Sequence, residues 1–142
     1  MELKYKDITE KIIGAAMKVH SALGNGFQEV IYQRALALQM QSENISFIRE
    51  CNMPVFYLEQ PIGERRVDFL VEDKICVELK ALINLEPVHF AQAGNYLEAF
   101  NPEIGLLINF GGISLAFKRL TNPKYNASII YHPQNPDYPI HS

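Results

Sequence analysis

Apolar residues recur at helical spacing near the start of the chain, where Ile8, Ile12, Ile13, Ala16, Val19 and Leu23 fall on one stripe. Asp7, with Glu10 three residues on, supplies a capping signal, so the pattern predicts a helix over Asp7–Leu23. Gly24-Asn25-Gly26 breaks it, and a second helix is predicted over Phe27–Glu43 from Val30, Ile31, Ala35, Leu38 and their strong helix formers. The texture then changes to β-branched and aromatic residues. Ile45–Glu50, Met53–Leu58, Arg65–Val71 and Ile75–Leu79 read as antiparallel strands. Pro87 suits the first turn of a third helix that runs over Val88–Phe100 until Asn101-Pro102 stops it. Ile104–Phe110 is a short apolar run expected as a buried strand, Gly111-Gly112 a turn, and Ile113–Lys118 a final alternating strand. The predicted order is ααβββ(β)αββ, an α/β domain over residues 1–121. Residues 122–142 carry Pro123, Pro133, Pro136 and Pro139 and read as an extended tail that wraps the domain or meets a partner, a second copy or another protein.

Composition narrows the class without naming a function. A chain of 142 residues that is 48% hydrophobic can bury one real core, and its 20% charged fraction is ordinary for a globular protein. The net charge of -3 gives no overall attraction to a phosphate backbone, so any nucleic-acid binding must come from a local basic stripe. Arg34, Arg49, Arg65, Arg66, Lys80, Lys118 and Arg119 are the candidates. Two cysteines without CxxC spacing and a polar, charged start predict a cytoplasmic protein. No apolar run approaches the roughly 20 residues that cross a bilayer, so no membrane segment is expected. The four histidines lack zinc spacing, and no glycine-rich phosphate loop is present. His20 is expected to cap the carbonyls at the end of the first helix, and Cys76 to act as a small apolar packing residue.

The informative stretch is Arg65-Arg66-Val67-Asp68-Phe69-Leu70-Val71, a three-residue loop Glu72-Asp73-Lys74, and Ile75-Cys76-Val77-Glu78-Leu79-Lys80. Strand alternation puts Val67, Phe69 and Val71 on one face with Ile75, Val77 and Leu79, and leaves Arg66, Asp68 and Leu70 with Cys76, Glu78 and Lys80 on the other. Matching parity across the loop then sets Asp68 opposite Glu78, their Cβ atoms ~5 Å apart, and Arg66 opposite Lys80. Two facing carboxylates are unfavourable unless they share a proton or a cation. A hard divalent ion such as Mg²⁺ prefers oxygen, so Asp68, Glu78 and a backbone carbonyl such as that of Leu79 make a candidate metal site. Metal-assisted phosphodiester hydrolysis is the matching chemistry, with Lys80 orienting the attacking water or stabilising the transition state. The plain alternative is a solvated, salt-bridging hairpin face.

The tract Asp68…Glu78-Leu79-Lys80 resembles the D…(E)xK signature of the PD-(D/E)XK nuclease superfamily. Gly26-Phe27-Gln28-Glu29-Val30-Ile31-Tyr32 resembles the motif of the GxxExxY proteins within it, as do Val19–Gly24 and Gln92–Leu97. The likeness runs from about Ile8 to Thr121, departing in Val67, which stands where the signature has proline. It implies a restriction-endonuclease-like core, a central mixed β-sheet flanked by helices. It also implies that Glu29 approaches the metal carboxylates Asp68 and Glu78 and that Gln92 and Tyr96 contact substrate; beside these, Lys80 is expected to assist and Arg66 to join the substrate contacts. Expected, then, is a nuclease-like hydrolase using Mg²⁺ or Mn²⁺ on nucleic acid, DNA first. The competing reading is a catalytically inactive nuclease-fold domain that binds nucleic acid or a protein partner.

Overall fold

The chain is described by a computed structural model covering residues 4–128. Its elements run α1 (Lys6–Leu23), α2 (Glu29–Ser42), β1 (Phe47–Tyr57), β2 (Gln60–Val71), β3 (Ile75–Lys80), α3 (Pro87–Phe100), β4 (Ile104–Asn109) and β5 (Ala116–Thr121). The predicted capping box on α1 does not form: Tyr5 is the N-cap in a left-handed conformation, and Asp7 sits inside the first turn, where the helix dipole favours a carboxylate. Helix α2 starts two residues later than expected. Gly26 takes φ 107, open to glycine but strained for other residues, and Gln28 stays extended before Glu29 opens the helix.

The five strands lie in chain order, β1-β2-β3-β4-β5. All neighbours pair antiparallel except β3 and β4, which are parallel because α3 carries the chain back between them. Two of the expected strands fuse into β1, since the ladder runs on through Cys51↔Val67 and Asn52↔Arg66. Pro54 is tolerated there because β1 is an edge strand. The fusion yields ααβββαββ. The last strand begins at Ala116, not Ile113, which is 92% exposed. The intervening residues are used in packing: Phe110 is fully buried, and a Cβ on Gly111 would meet the Leu82 backbone at 2.3 Å.

Helices cover both faces of the sheet. On one side Ile12, Ala16 and Val19 of α1 and Tyr32, Leu36 and Met40 of α2 pack on Phe69, Val71, Ile75, Val77, Leu79, Leu106 and Ile108. On the other, Leu97 of α3 packs with Cys51, Met53, Val67, Leu70 and Cys76. Each fully buried large side chain contributes about 1.5–3 kcal/mol. Every residue of β4 is buried, as a central strand covered on both faces requires.

Strand alternation is interrupted where it matters. Phe69 and Val71 belong to the α1/α2 core, yet Val67 joins the α3 core alongside Leu70. The same inversion occurs on β1, where Glu50 takes φ 53 between Ile48 and Cys51, both in the α3 core. The predicted common face of Val67, Phe69 and Val71 is therefore corrected, and Asp68 sits at the inversion. The residues of the expected tail from 129 on lie outside the described residues. Its first part is anchored: Asn122 is buried and donates from Nδ2 to the carbonyls of Leu97 (3.1 Å) and Pro102 (3.0 Å).

Candidate functional site

The ladder between β2 and β3 is continuous only as far as Phe69↔Val77. One step further the same register sets Asp68 opposite Glu78, and here the Asp68 side chain takes over from the backbone: its Oδ2 accepts the Leu79 N–H at 2.8 Å. Its Oδ1 accepts from Gln33 Nε2 of α2 at 2.7 Å. Each oxygen thus keeps acceptor capacity for one more partner. Gln33 is only 7% exposed and its Oε1 is buried without a hydrogen-bond partner among the described residues. The sequence reading missed this residue, although a Gln one turn after Glu29 on the same helix face was a legible signal.

The two carboxyls meet. The Glu78 pKa is raised to about 7, first by burial and then by the negative charge of Asp68, while a hydrogen bond from Arg65 works the other way. A hydrogen-bonding approach by Asp68 adds to the rise, so the pair favours sharing a proton or a cation. Glu29 opens α2 on the same side. It keeps an exposed edge, yet partial burial and then the Asp68 charge lift its carboxyl above the ordinary range, with Lys80 opposing.

Lys80 is positioned from behind by β4. Phe110 N–H donates to the Lys80 carbonyl at 2.8 Å, and the buried Asn109 clamps the next loop, accepting from Leu82 N at 2.8 Å and donating to Leu82 O at 2.9 Å. Tyr32 sets the start of α2. Its ring stacks on Phe110 at 4.7 Å, its hydroxyl donates to Gly24 O at 2.7 Å and accepts from Phe27 N at 3.2 Å. The closing tyrosine of the motif therefore belongs to the core and holds the turn that aims Glu29.

Helix α3 supplies the opposite wall. A capping box between Glu86 and His89 fixes its first turn, with Glu86 N–H donating to His89 Nδ1 at 2.9 Å. Gln92 and Tyr96, one turn apart, line a shallow pocket with Arg65, Glu78, Lys80, His89, Ala93 and Leu107. The sequence-predicted residues Glu29, Asp68, Glu78, Lys80, Gln92 and Tyr96 are thus gathered. Arg66 is not: it turns outward to Glu50 at 3.3 Å. Because alternation inverts at Asp68, Arg65 takes the place expected of Arg66, with Nη1 2.7 Å from Glu78 Oε1.

The basic stripe assembles in part. Register aligns Glu78 with Leu107 and Leu107 with Lys118, so Lys118 faces the α3 side two strand spacings, ~10 Å, from Glu78. Arg119 points the other way and donates to the Lys4 carbonyl. His20 caps no carbonyl of its own helix; its Nε2 lies 3.0 Å from Gly112 O, tying α1 to the β4–β5 loop. Cys76 is buried as expected, and burial pushes its thiol well up.

This geometry coincides with a family match over residues 6–120 to the PD-(D/E)XK nuclease superfamily. The chain belongs to the PD-(D/E)XK nuclease superfamily. Among solved structures it is similar to the crystal structure of SSO0001, with 18% identity and a TM-score of 0.50, covering 84% of this chain. It spans 60% of that chain's length, and the likeness is one of fold. No curated protein matches it. Membership accords with the restriction-endonuclease-like mixed sheet, and PD-(D/E)XK nucleases generally use divalent metal ions. Among the described residues no helix is long and apolar enough to cross a membrane. Nor do they include any group of three or more His, Cys, Asp or Glu side chains placed for a metal. Two converging carboxylates are nevertheless an oxygen donor pair that fits a hard dication whose remaining ligands are water.

Proposed function

We propose that this protein is a divalent-metal-dependent nuclease, a hydrolase that cuts nucleic-acid phosphodiester bonds, with DNA the first substrate to test. The observation that carries the reading is the meeting of the Asp68 and Glu78 carboxyls from adjacent strands beside Lys80. Asp68, Glu78 and the Leu79 carbonyl would hold Mg²⁺ or Mn²⁺; the chemistry such an ion supplies is Lewis acidity toward water and toward the phosphate charge. Lys80 orients the attacking water through its ammonium group and offsets charge gathering on phosphorus. Glu29, with its carboxyl raised, is placed to accept or return a proton. Gln92 and Tyr96 line the wall on which the strand would lie, and Lys118 extends the positive row. The Gly26–Tyr32 motif supports placement among the GxxExxY proteins. Two buried cysteines that form no disulfide accord with a reducing, cytoplasmic setting.

The test is cleavage of linear, single-stranded and branched DNA and of RNA with Mg²⁺ or Mn²⁺, comparing wild type with Glu78→Ala and Lys80→Ala. Each substitution is expected to lower the rate by roughly a hundredfold or more. Equal cleavage by wild type and both variants would mark a contaminant. One observation favours a second reading: Glu78 already has a cationic partner in Arg65. On that reading the chain is a catalytically inactive domain that binds nucleic acid or a protein partner, and calorimetry would show no divalent-ion binding.

A further inference from the structure

Arg65 is held by two independent contacts. Its Nη1 lies 2.7 Å from Glu78 Oε1, and its guanidinium stacks over Tyr96 with 3.9 Å to the ring centroid. The pair is lopsided. The Arg65 side chain is 36% exposed and that of Glu78 16%, so the arginine is the outer member and the one nearer to an arriving ligand. Both line the pocket that also holds Lys80 and Gln92.

The carboxylate that Arg65 grips is one of the two in the acidic pair. A guanidinium and a dication cannot share one carboxylate at close range without strong like-charge repulsion, so they compete. The Tyr96 contact is different in kind. Stacking on a ring face does not depend on Glu78, and it holds the guanidinium in the pocket once the ion pair opens. The planar fork then presents parallel N–H donors, the geometry that receives a phosphate in bidentate fashion.

We infer that Arg65 works in two positions, as the counter-ion that occupies Glu78 until a divalent cation takes it, and then as the cation that receives a substrate phosphate beside Tyr96. The inference rests on the reading of Asp68 and Glu78 as metal carboxylates. It makes divalent-ion binding and nucleic-acid binding mutually reinforcing, because the ion frees the residue that the phosphate needs, and the coupling is reciprocal.

The test uses the full chain as wild type, Arg65→Met and Arg65→Lys, each first confirmed folded by its thermal transition. Ca²⁺ and Mg²⁺ affinities are measured by titration calorimetry, and binding of a fluorescein-labelled duplex oligodeoxynucleotide by anisotropy in Ca²⁺ across a salt series. Arg65→Met is expected to bind the divalent ion about tenfold tighter, having lost one competing charge-assisted bond. The same variant should bind DNA roughly tenfold more weakly, with a salt slope shallower by about 1. Arg65→Lys keeps the positive charge and should hold the wild-type salt slope. A merely structural role would move both affinities in the same direction. Unchanged or weaker ion binding by Arg65→Met overturns the inference alone. Absence of ion binding in wild type and variants alike overturns the metal reading with it, whereas ion binding in Arg65→Met only is the strongest support.

Discussion

Asp68 accepts a backbone N–H on one oxygen and the Gln33 amide on the other, so its orientation is fixed before any ligand arrives. Hydrogen-bonding partners behind a metal carboxylate commonly carry a factor of 10–100 in affinity. Gln33→Leu removes the donor together with the unpartnered Oε1, so little net stability should be lost while Ca²⁺ affinity falls about tenfold by calorimetry. An unchanged affinity would show that the Leu79 N–H alone orients Asp68. Glu78 yields a pH prediction. Its folded pKa of about 7 lies above the usual 4.5, so the folded state binds more protons than the unfolded one between those values. Stability therefore falls as pH rises through that window, by about 3 kcal/mol at most. Urea unfolding of metal-free protein at a series of pH values checks it, and Glu78→Gln should lack the decline.

At the level of elements, Tyr32 joins three pieces, the α1–α2 turn, the start of α2 and the loop after β4. Its hydroxyl both donates and accepts. Tyr32→Phe leaves the Phe110 stack in place but orphans those two backbone groups, which predicts a loss of about 1–3 kcal/mol in denaturant unfolding. Much of this level was legible in the sequence. The apolar stripe of α1 is largely a real core face, whereas that expected for α2 is corrected: Val30, Ile31 and Leu38 are exposed, and Tyr32, Leu36 and Met40 face the core. The three-residue loop at Glu72–Lys74 does carry the register that opposes Asp68 to Glu78. What escaped has physical causes. A left-handed Glu50 cannot be read from alternation, and with it went the exchange of Arg66 for Arg65 at the acidic pair. The start of β5 is decided by Phe110 and Gly111 packing on distant residues, which a local pattern does not contain.

For the molecule as a whole, a net charge of -3 means that affinity for nucleic acid depends on local arrangement. Lys118 on β5 and Lys80 on β3 face the α3 side and the pocket, whereas Arg66 and Arg119 are taken by Glu50 and the Lys4 carbonyl. Lys118→Ala should weaken DNA binding evenly across sequences and reduce the salt slope by about 1. A slope equal to wild type would place the strand elsewhere. The order of the sheet also bears on how the chain reaches its native state. Strands β1, β2 and β3 are joined by tight turns, while β4 can dock on β3 only after α3 has spanned the gap. Short-range hairpins form before long-range closures as a rule. The repulsion between Asp68 and Glu78 is then already present at the kinetic barrier, whereas burial of Glu78 under α3 and β4 comes later, so above pH 7 Glu78→Gln should both quicken refolding and slow unfolding in a stopped-flow chevron.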